Sequence, residues 1–126
     1  MDPFLFNGSN LAYIGDAYLE LCVRNRLLSK GITKSKELRK VSIRYVSADA
    51  HQKIYYGLMN QFTEEEKQIF LRGRNSTSRS HRQNVDKAAY QISTGLEAVI
   101  GYLYLMHNEA RLTELMEMIF EEVEKE

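Results

Sequence analysis

The 126-residue sequence has one cysteine, one proline and no tryptophan, and its 17 basic side chains balance its 17 acidic ones. A single cysteine, Cys22, excludes an internal disulfide framework and is expected to be a small core residue. No apolar run approaches the roughly 20 residues that a membrane-spanning helix needs. The first residues, MDPF, lack the basic segment of a secretory signal. These absences predict a cytoplasmic protein with a single domain over residues 1–126.

The zero net charge hides an uneven distribution of charge along the chain. Residues 109–126 are strongly acidic, whereas residues 72–87 contain one acid, Asp86. The basic side chains of that second segment, with one histidine beside them, are Arg72, Arg74, Arg79, His81, Arg82 and Lys87. A local basic segment is a candidate contact for an anionic partner even when the whole chain is neutral.

Apolar residues recur at three- and four-residue spacing along nearly the whole chain, which predicts an all-α fold without a convincing strand. The first helix is predicted over about residues 10–28, and Gly31 suits the left-handed position beyond it. Its proposed apolar face comprises Leu11, Ile14, Tyr18, Leu21, Cys22 and Leu28.

The later helices are predicted from their caps and their apolar spacing. Ser35 and Ser47 are candidate caps of the second and third helices, and residues 63–66 (TEEE) form a capping box for a fourth that ends near Gly73. Two further helices are predicted over about residues 85–107 and 110–124. The serine-rich stretch at about 74–84 lacks apolar periodicity and is predicted to be an exposed basic loop.

Two short segments each place one carboxylate among small and apolar residues: residues 11–17 (LAYIGDA) and residues 94–101 (TGLEAVIG). Small neighbours allow two helices to approach closely, so Asp16 and Glu97 could face each other. Two adjacent carboxylates disfavour joint ionisation, and a bound Mg²⁺ or Mn²⁺ would reverse this. By chemistry alone, both acids could instead be half-exposed and paired with Lys or Arg.

The order, spacing and helical context of these two segments resemble the two signature segments of the ribonuclease III catalytic domain. Tyr13, residues 72–75 (RGRN) and residues 101–104 (GYLY) are more similar to the mini-RNase III subfamily, which lacks a double-stranded-RNA-binding domain. The resemblance covers nearly the whole chain. It implies a ribonuclease III endonuclease-like helical fold.

The same resemblance implies a homodimeric endoribonuclease for double-stranded RNA that uses Mg²⁺, with Mn²⁺ able to substitute. Asp16 and Glu97 match the signature acids, so they are the expected catalytic and metal-binding residues. The subfamily matures precursor 23S ribosomal RNA, and a ribosomal protein bound to that RNA is a possible helper.

Two positions depart from full-length ribonuclease III. Ala12 and Thr94 stand where that family has metal-site acids, which leaves the number of metal ions and their direct ligands open. Glu20, one helical turn after Asp16, is interpreted as an ordinary exposed glutamate. The three histidines show no paired metal-ligand spacing, so no zinc site is predicted.

The basic segment suits double-stranded RNA, since A-form duplexes are recognised mainly through phosphates and 2′-hydroxyls. Arg72, Arg74, Arg79, His81, Arg82 and Lys87 are therefore the candidate RNA-binding residues. An alternative hypothesis is a non-catalytic RNA-binding or ribosome-associated helical module, which Ala12 and Thr94 would favour. A helical protein-interaction domain without an RNA role is a third reading.

Overall fold

The computed structural model describes residues 2–76 and 86–125, and within these ranges it confirms an all-α fold without strands. Two short 3₁₀ turns, Pro3–Leu5 and Met59–Gln61, accompany the α-helices. The helices are α1 (Gly8–Ser29), α2 (Ser35–Val46), α3 (Ala48–Leu58), α4 (Glu64–Asn75), α5 (Lys87–Leu105) and α6 (Glu109–Glu124). Helix α4 continues two residues past Gly73, where it was expected to end.

Two of the three predicted helix caps are confirmed. The Ser47 hydroxyl accepts from the Ala50 amide at 3.1 Å, and Thr63 and Glu66 form a complete capping box. The prediction that Ser35 caps α2 was wrong by one residue. Lys34 occupies that cap position and makes no side-chain cap bond, because its ammonium group cannot accept a hydrogen bond.

Helix α5 forms the centre of the molecule, with α1, α3 and α4 packed around it. Eleven of its nineteen residues are buried, so it is apolar on more than one face. Helix α6 packs against α3 and α5 through Leu112, Leu115, Met116 and Ile119. The position of α5 is therefore set by several neighbouring helices at once.

Part of the predicted core face of helix α1 is confirmed, since Leu11 is buried and Tyr18 and Cys22 pack against the core. Leu11, Leu19, Val23 and Leu27 are its fully buried side chains. Leu21 and Leu28 were placed on the core face, but they are 66% and 55% exposed. The helix is apolar on two sides and only one of them contacts α5, so periodicity alone misplaced Leu21 and Leu28.

Glycines set the closest helix contacts. A methyl group on Gly15 of α1 would overlap the carbonyl oxygen of Glu97 on α5, and one on Gly101 would overlap the carbonyl oxygen of Leu11. Gly73 of α4 meets Gly95 of α5 in a similar backbone approach. These positions bring both α1 and α4 directly against the α5 backbone.

Cys22 is half-buried and packs against the core, as expected for a small apolar residue. Its neighbour Tyr18 hydrogen-bonds with it, and burial is the main cause that raises the pKa of the thiol. A raised pKa does not favour a reactive thiolate. None of the helices in the described ranges is both long enough and apolar enough to span a bilayer.

Candidate active site

Asp16 and Glu97 meet where α1 crosses α5. Gly15 lies against the Glu97 backbone, so no side chain separates the two helices at this level. The following residue, Asp16, extends its carboxylate to within hydrogen-bonding reach of the Glu97 carboxyl group. The structure therefore brings together the two acids of the signature segments, 81 residues apart in the chain.

The two carboxylates share an unfavourable electrostatic environment. Asp16 is exposed and Glu97 is half-buried. Burial raises the pKa of the Glu97 carboxyl to about 9, and the hydrogen bond and negative charge of Asp16 reinforce the shift. Within residues 2–76 and 86–125, no Lys or Arg forms an ion pair with either acid. Near pH 7, Glu97 is therefore protonated beside the Asp16 carboxylate, and a bound cation would favour its ionised form.

Glu20 lies closer to this site than the sequence suggested. It is half-buried, and its charge also raises the pKa of Glu97. Its carboxylate pairs with the Arg24 guanidinium at 3.3 Å, so part of its charge is already compensated within α1. Glu20 therefore forms the edge of the acidic site.

The two departures from full-length ribonuclease III leave apolar or hydroxyl groups beside the acids. Ala12 is buried, and the Thr94 hydroxyl donates to the Tyr90 carbonyl at 3.0 Å. Among the described residues, no three His, Cys, Asp or Glu side chains converge as a metal cage. A divalent cation would thus have two protein carboxylates, and Mg²⁺ commonly completes such a shell with water or substrate phosphates. The donor set fits that ion.

Sequence reasoning missed a buried polar pair behind the acids. His51 of α3 is fully buried, and its Nδ1 lies 2.7 Å from the Ser93 hydroxyl of α5, one turn before Glu97. Burial lowers the pKa of His51 to about 4, so its ring is neutral near pH 7. The pair joins residues 42 positions apart, and no local motif marks such a contact.

The candidate RNA-binding residues fall into two groups. Arg74 and Lys87 are exposed at the end of α4 and the start of α5, and Arg72 is half-exposed with its guanidinium 3.4 Å from the Phe6 carbonyl. Arg79, His81 and Arg82, with most of the predicted loop, lie outside the described residues. Lys87 precedes Glu97 by ten helical residues, or about 15 Å along the axis.

The all-α fold and the acid pair at a helix crossing can be compared with those of known protein families. Residues 9–108 match the family described as the ribonuclease III domain. The crystal structure of a Fusobacterium nucleatum protein has the same fold, with a TM-score of 0.83, 29% identity and 93% of each chain covered.

Proteins of similar sequence show which branch of this family the chain resembles. The mini-ribonuclease 3 of Brevibacillus brevis is 43% identical, covering 99% of this chain and 93% of its own. That of Streptococcus pneumoniae is 38% identical, with 98% of both chains covered. The chain belongs to the ribonuclease III family, in its mini-ribonuclease 3 branch, and is an endoribonuclease.

Proposed function

We propose that this protein is a Mg²⁺-dependent endonuclease that cleaves double-stranded RNA. The observation that carries the proposal is the contact between Asp16 and Glu97, whose charges no ion pair with a described residue compensates. Such a pair is unfavourable alone and becomes favourable around a divalent cation. Its position at the protein surface, with Asp16 exposed, leaves it open to a large substrate.

Asp16 and Glu97 would hold the cation, and Mn²⁺ would be able to replace Mg²⁺ there. When bound, such an ion supplies a nucleophilic hydroxide at neutral pH and stabilises charge on a phosphodiester. Helices α1 and α5 keep the two carboxylates at one point through the Gly15 contact. The basic residues at the ends of α4 and α5 would orient the duplex by its phosphates.

The protein would act as a homodimer, so that two sites cut the two strands. Helix α1 supports this with an apolar face beside Asp16, on which Tyr13 is 83% exposed and Leu21 is 66% exposed. Leu28 of α1 and Ile43 of α2 are also exposed and line one groove. Several large apolar side chains exposed on neighbouring helices are typical of an interface.

Sedimentation velocity tests the dimer. Tyr13→Glu and Leu21→Glu should each convert it to a monomer, because they bury a charge in the apolar contact. Leu71→Glu is the matched control, since Leu71 is an exposed leucine on α4. Sedimentation of both α1 variants as wild type would contradict this interface.

The natural substrate would be precursor 23S ribosomal RNA in the cytoplasm, with a ribosomal protein on that RNA as a possible helper. The basic residues of this domain alone would bind generic duplexes weakly. Each arginine that neutralises a phosphate should contribute a little under one logarithmic unit to the salt dependence of binding. Arg79→Gln and Arg82→Gln should each reduce that slope.

Cleavage of a long duplex RNA with and without Mg²⁺, by the wild type and Asp16→Asn, tests the enzymatic proposal. The variant should fold and bind RNA but cleave at least about a hundredfold more slowly, because the metal site supplies several kcal/mol of transition-state stabilisation. Substantial cleavage by Asp16→Asn would contradict the assignment. If precursor 23S RNA also yields no metal-dependent product, the non-catalytic RNA-binding alternative is favoured, consistent with Ala12 and Thr94.

A further inference from the structure

We propose that His51 is a positioning residue for the metal site, acting through Ser93 to hold the part of α5 that carries Glu97. The inference rests on the proposed function of Asp16 and Glu97 as cation ligands. It assigns a role to a buried polar pair that otherwise has no part in the site. His51 itself is fully buried and so cannot touch a duplex.

The geometry links His51 to Glu97 through one helical turn. His51 Nδ1 lies 2.7 Å from Ser93 Oγ, and Ser93 precedes Glu97 by four residues. Residues four apart lie on the same face of a helix, one above the other. A hydrogen bond at Ser93 therefore restrains the rotation of α5 at the level from which Glu97 extends.

Two other helices hold α5 at this point, so its position is determined from two directions. On one side, Gly15 of α1 contacts the Glu97 carbonyl group. From α3, His51 bonds to Ser93. The Gly15 contact fixes how closely the helices approach but does not fix the rotation of α5, since glycine has no side chain that could interlock. The His51–Ser93 bond is directional and supplies that restraint.

The His51 ring also hydrogen-bonds with the backbone of Tyr45 on α2. The ring therefore has partners on two sides, Tyr45 and Ser93, and its orientation is restrained from both. A restrained ring can hold Ser93, and with it this turn of α5, in one place. The negative charge of Asp16 also acts on the ring, which places His51 close behind the acid pair.

His51→Asn and His51→Leu form a nearly isosteric pair that isolates the hydrogen bond. Asparagine keeps a polar group where Nδ1 stands, whereas leucine keeps only the volume. Ser93→Ala removes the bond from the other side. Ile119→Val, which opens a small cavity in α6, is the control for general loss of stability, since Ile119 is fully buried on a helix that carries neither acid.

Two measurements are needed: Mn²⁺ affinity by electron paramagnetic resonance without RNA, and kcat and KM for duplex cleavage. His51→Leu and Ser93→Ala should weaken Mn²⁺ binding and lower kcat by roughly 10-fold or more, as loss of a supporting contact commonly does. KM for RNA should change less than about twofold, because the RNA-binding surface is untouched. Asparagine should restore both quantities to within about threefold of wild type.

The outcomes separate this inference from the proposed function. Wild-type Mn²⁺ affinity in both His51→Leu and Ser93→Ala would overturn it, as would an equal defect in His51→Asn and His51→Leu. If His51→Leu does not fold, Ser93→Ala decides the question. If wild type binds Mn²⁺ but cleaves no RNA, the enzymatic proposal fails while the affinities still test His51. Absence of Mn²⁺ binding in wild type would overturn both.

Discussion

Glu97 and Glu124 are both half-buried glutamates on helices, yet their surroundings shift their pKa values in opposite directions. At Glu97, burial and the neighbouring Asp16 raise the pKa to about 9. At Glu124, hydrogen bonds from Arg26, Tyr45 and Lys30 lower the pKa to about 2 against the opposing effect of burial. The first site faces another acid, and the second is surrounded by donors.

The Glu124 carboxylate is bound by several side chains of its own chain. Arg26 binds both carboxylate oxygens of Glu124, while the Tyr45 hydroxyl donates at 2.7 Å and Lys30 Nζ lies 3.0 Å away. The Arg26 guanidinium also stacks 4.9 Å from the Phe120 ring centroid. These contacts fasten the end of α6 to α1 and α2.

The contrast shows how to distinguish a structural acid from a functional one. A carboxylate with partners from its own chain contributes to stability, and adding a cation changes little. A carboxylate that faces another carboxylate destabilises the protein until something cationic arrives from solution. Position in a helix does not separate the two cases; the charges of the neighbours do.

The largest loss of stability is expected when Glu66, a second acid paired within the chain, loses its partner Arg111. Glu66 is buried, and Arg111 binds its two oxygens, each at 2.8 Å. Arg111→Leu should lower the unfolding free energy by about 3–5 kcal/mol, because it leaves a buried charge without a partner. Urea denaturation of Arg24→Leu, which removes the exposed partner of Glu20, should show a loss of only about 0–1 kcal/mol. Equal losses would contradict the distinction between buried and exposed pairs.

The helix crossing at the acid pair should tolerate no side chain. Gly15→Ala should destabilise by roughly 3 kcal/mol, since the added methyl group meets backbone atoms that cannot move aside. Gly57→Ala is the matched helical control, because the nearest atoms to its methyl group would be the movable carboxylate end of Glu122. Thermal unfolding should separate them clearly, and similar melting temperatures would disprove the close approach of α1 and α5.

The contacts of Glu124 should make the free energy of unfolding fall at acidic pH. Its folded-state pKa of about 2 lies below the usual 4.5, so its stabilisation is complete above pH 4.5 and is lost as the pH falls toward 2. With allowance for solvent screening, wild type should exceed Glu124→Gln by on the order of 2 kcal/mol at pH 6. That difference, from denaturation at successive pH values, should approach zero near pH 2. A constant difference would contradict the paired-acid account.

The smallest expected effect is a gain in stability when Glu97 is replaced. The folded-state pKa of Glu97, at about 9, lies above its usual value, so the metal-free protein loses stability as the pH rises from 4.5 toward 9. Glu97→Gln should therefore stabilise the metal-free protein by about 1 kcal/mol at pH 8, and by nothing near pH 4. Urea denaturation in EDTA measures this gain. Destabilisation at pH 8 would mean that Glu97 supports the fold, as Glu124 does.

Local signals in the sequence predicted much of the fold. The helical spacing, the Ser47 cap and the Thr63–Glu66 capping box depend on neighbours within four residues, and the structure confirms them. The small residues that flank both acids left the approach of Asp16 to Glu97 open as one of two interpretations, and the resemblance to ribonuclease III favoured it. Gly31 adopts the predicted left-handed conformation, with φ at 87°.

The rest depended on contacts between distant segments. Leu21 and Leu28 were misplaced because an apolar residue that faces solvent has the same spacing as one that faces α5. His51 was dismissed as a ligand, and its bond to Ser93 exists only because α3 packs on α5. The charge of Glu20 on the acid pair likewise follows from the crossing of α1 and α5, which helical spacing alone does not specify.

Crystals grown with Mn²⁺ and measured for anomalous scattering would test the central claim most directly, namely that Asp16 and Glu97 are the ligands of a divalent cation. The account predicts an anomalous peak between the two carboxylates in wild type and no peak there in Asp16→Asn, with Glu124→Gln retaining it. A wild-type map without density at the α1–α5 crossing, or with the only peak on the acidic surface of α6, would contradict it.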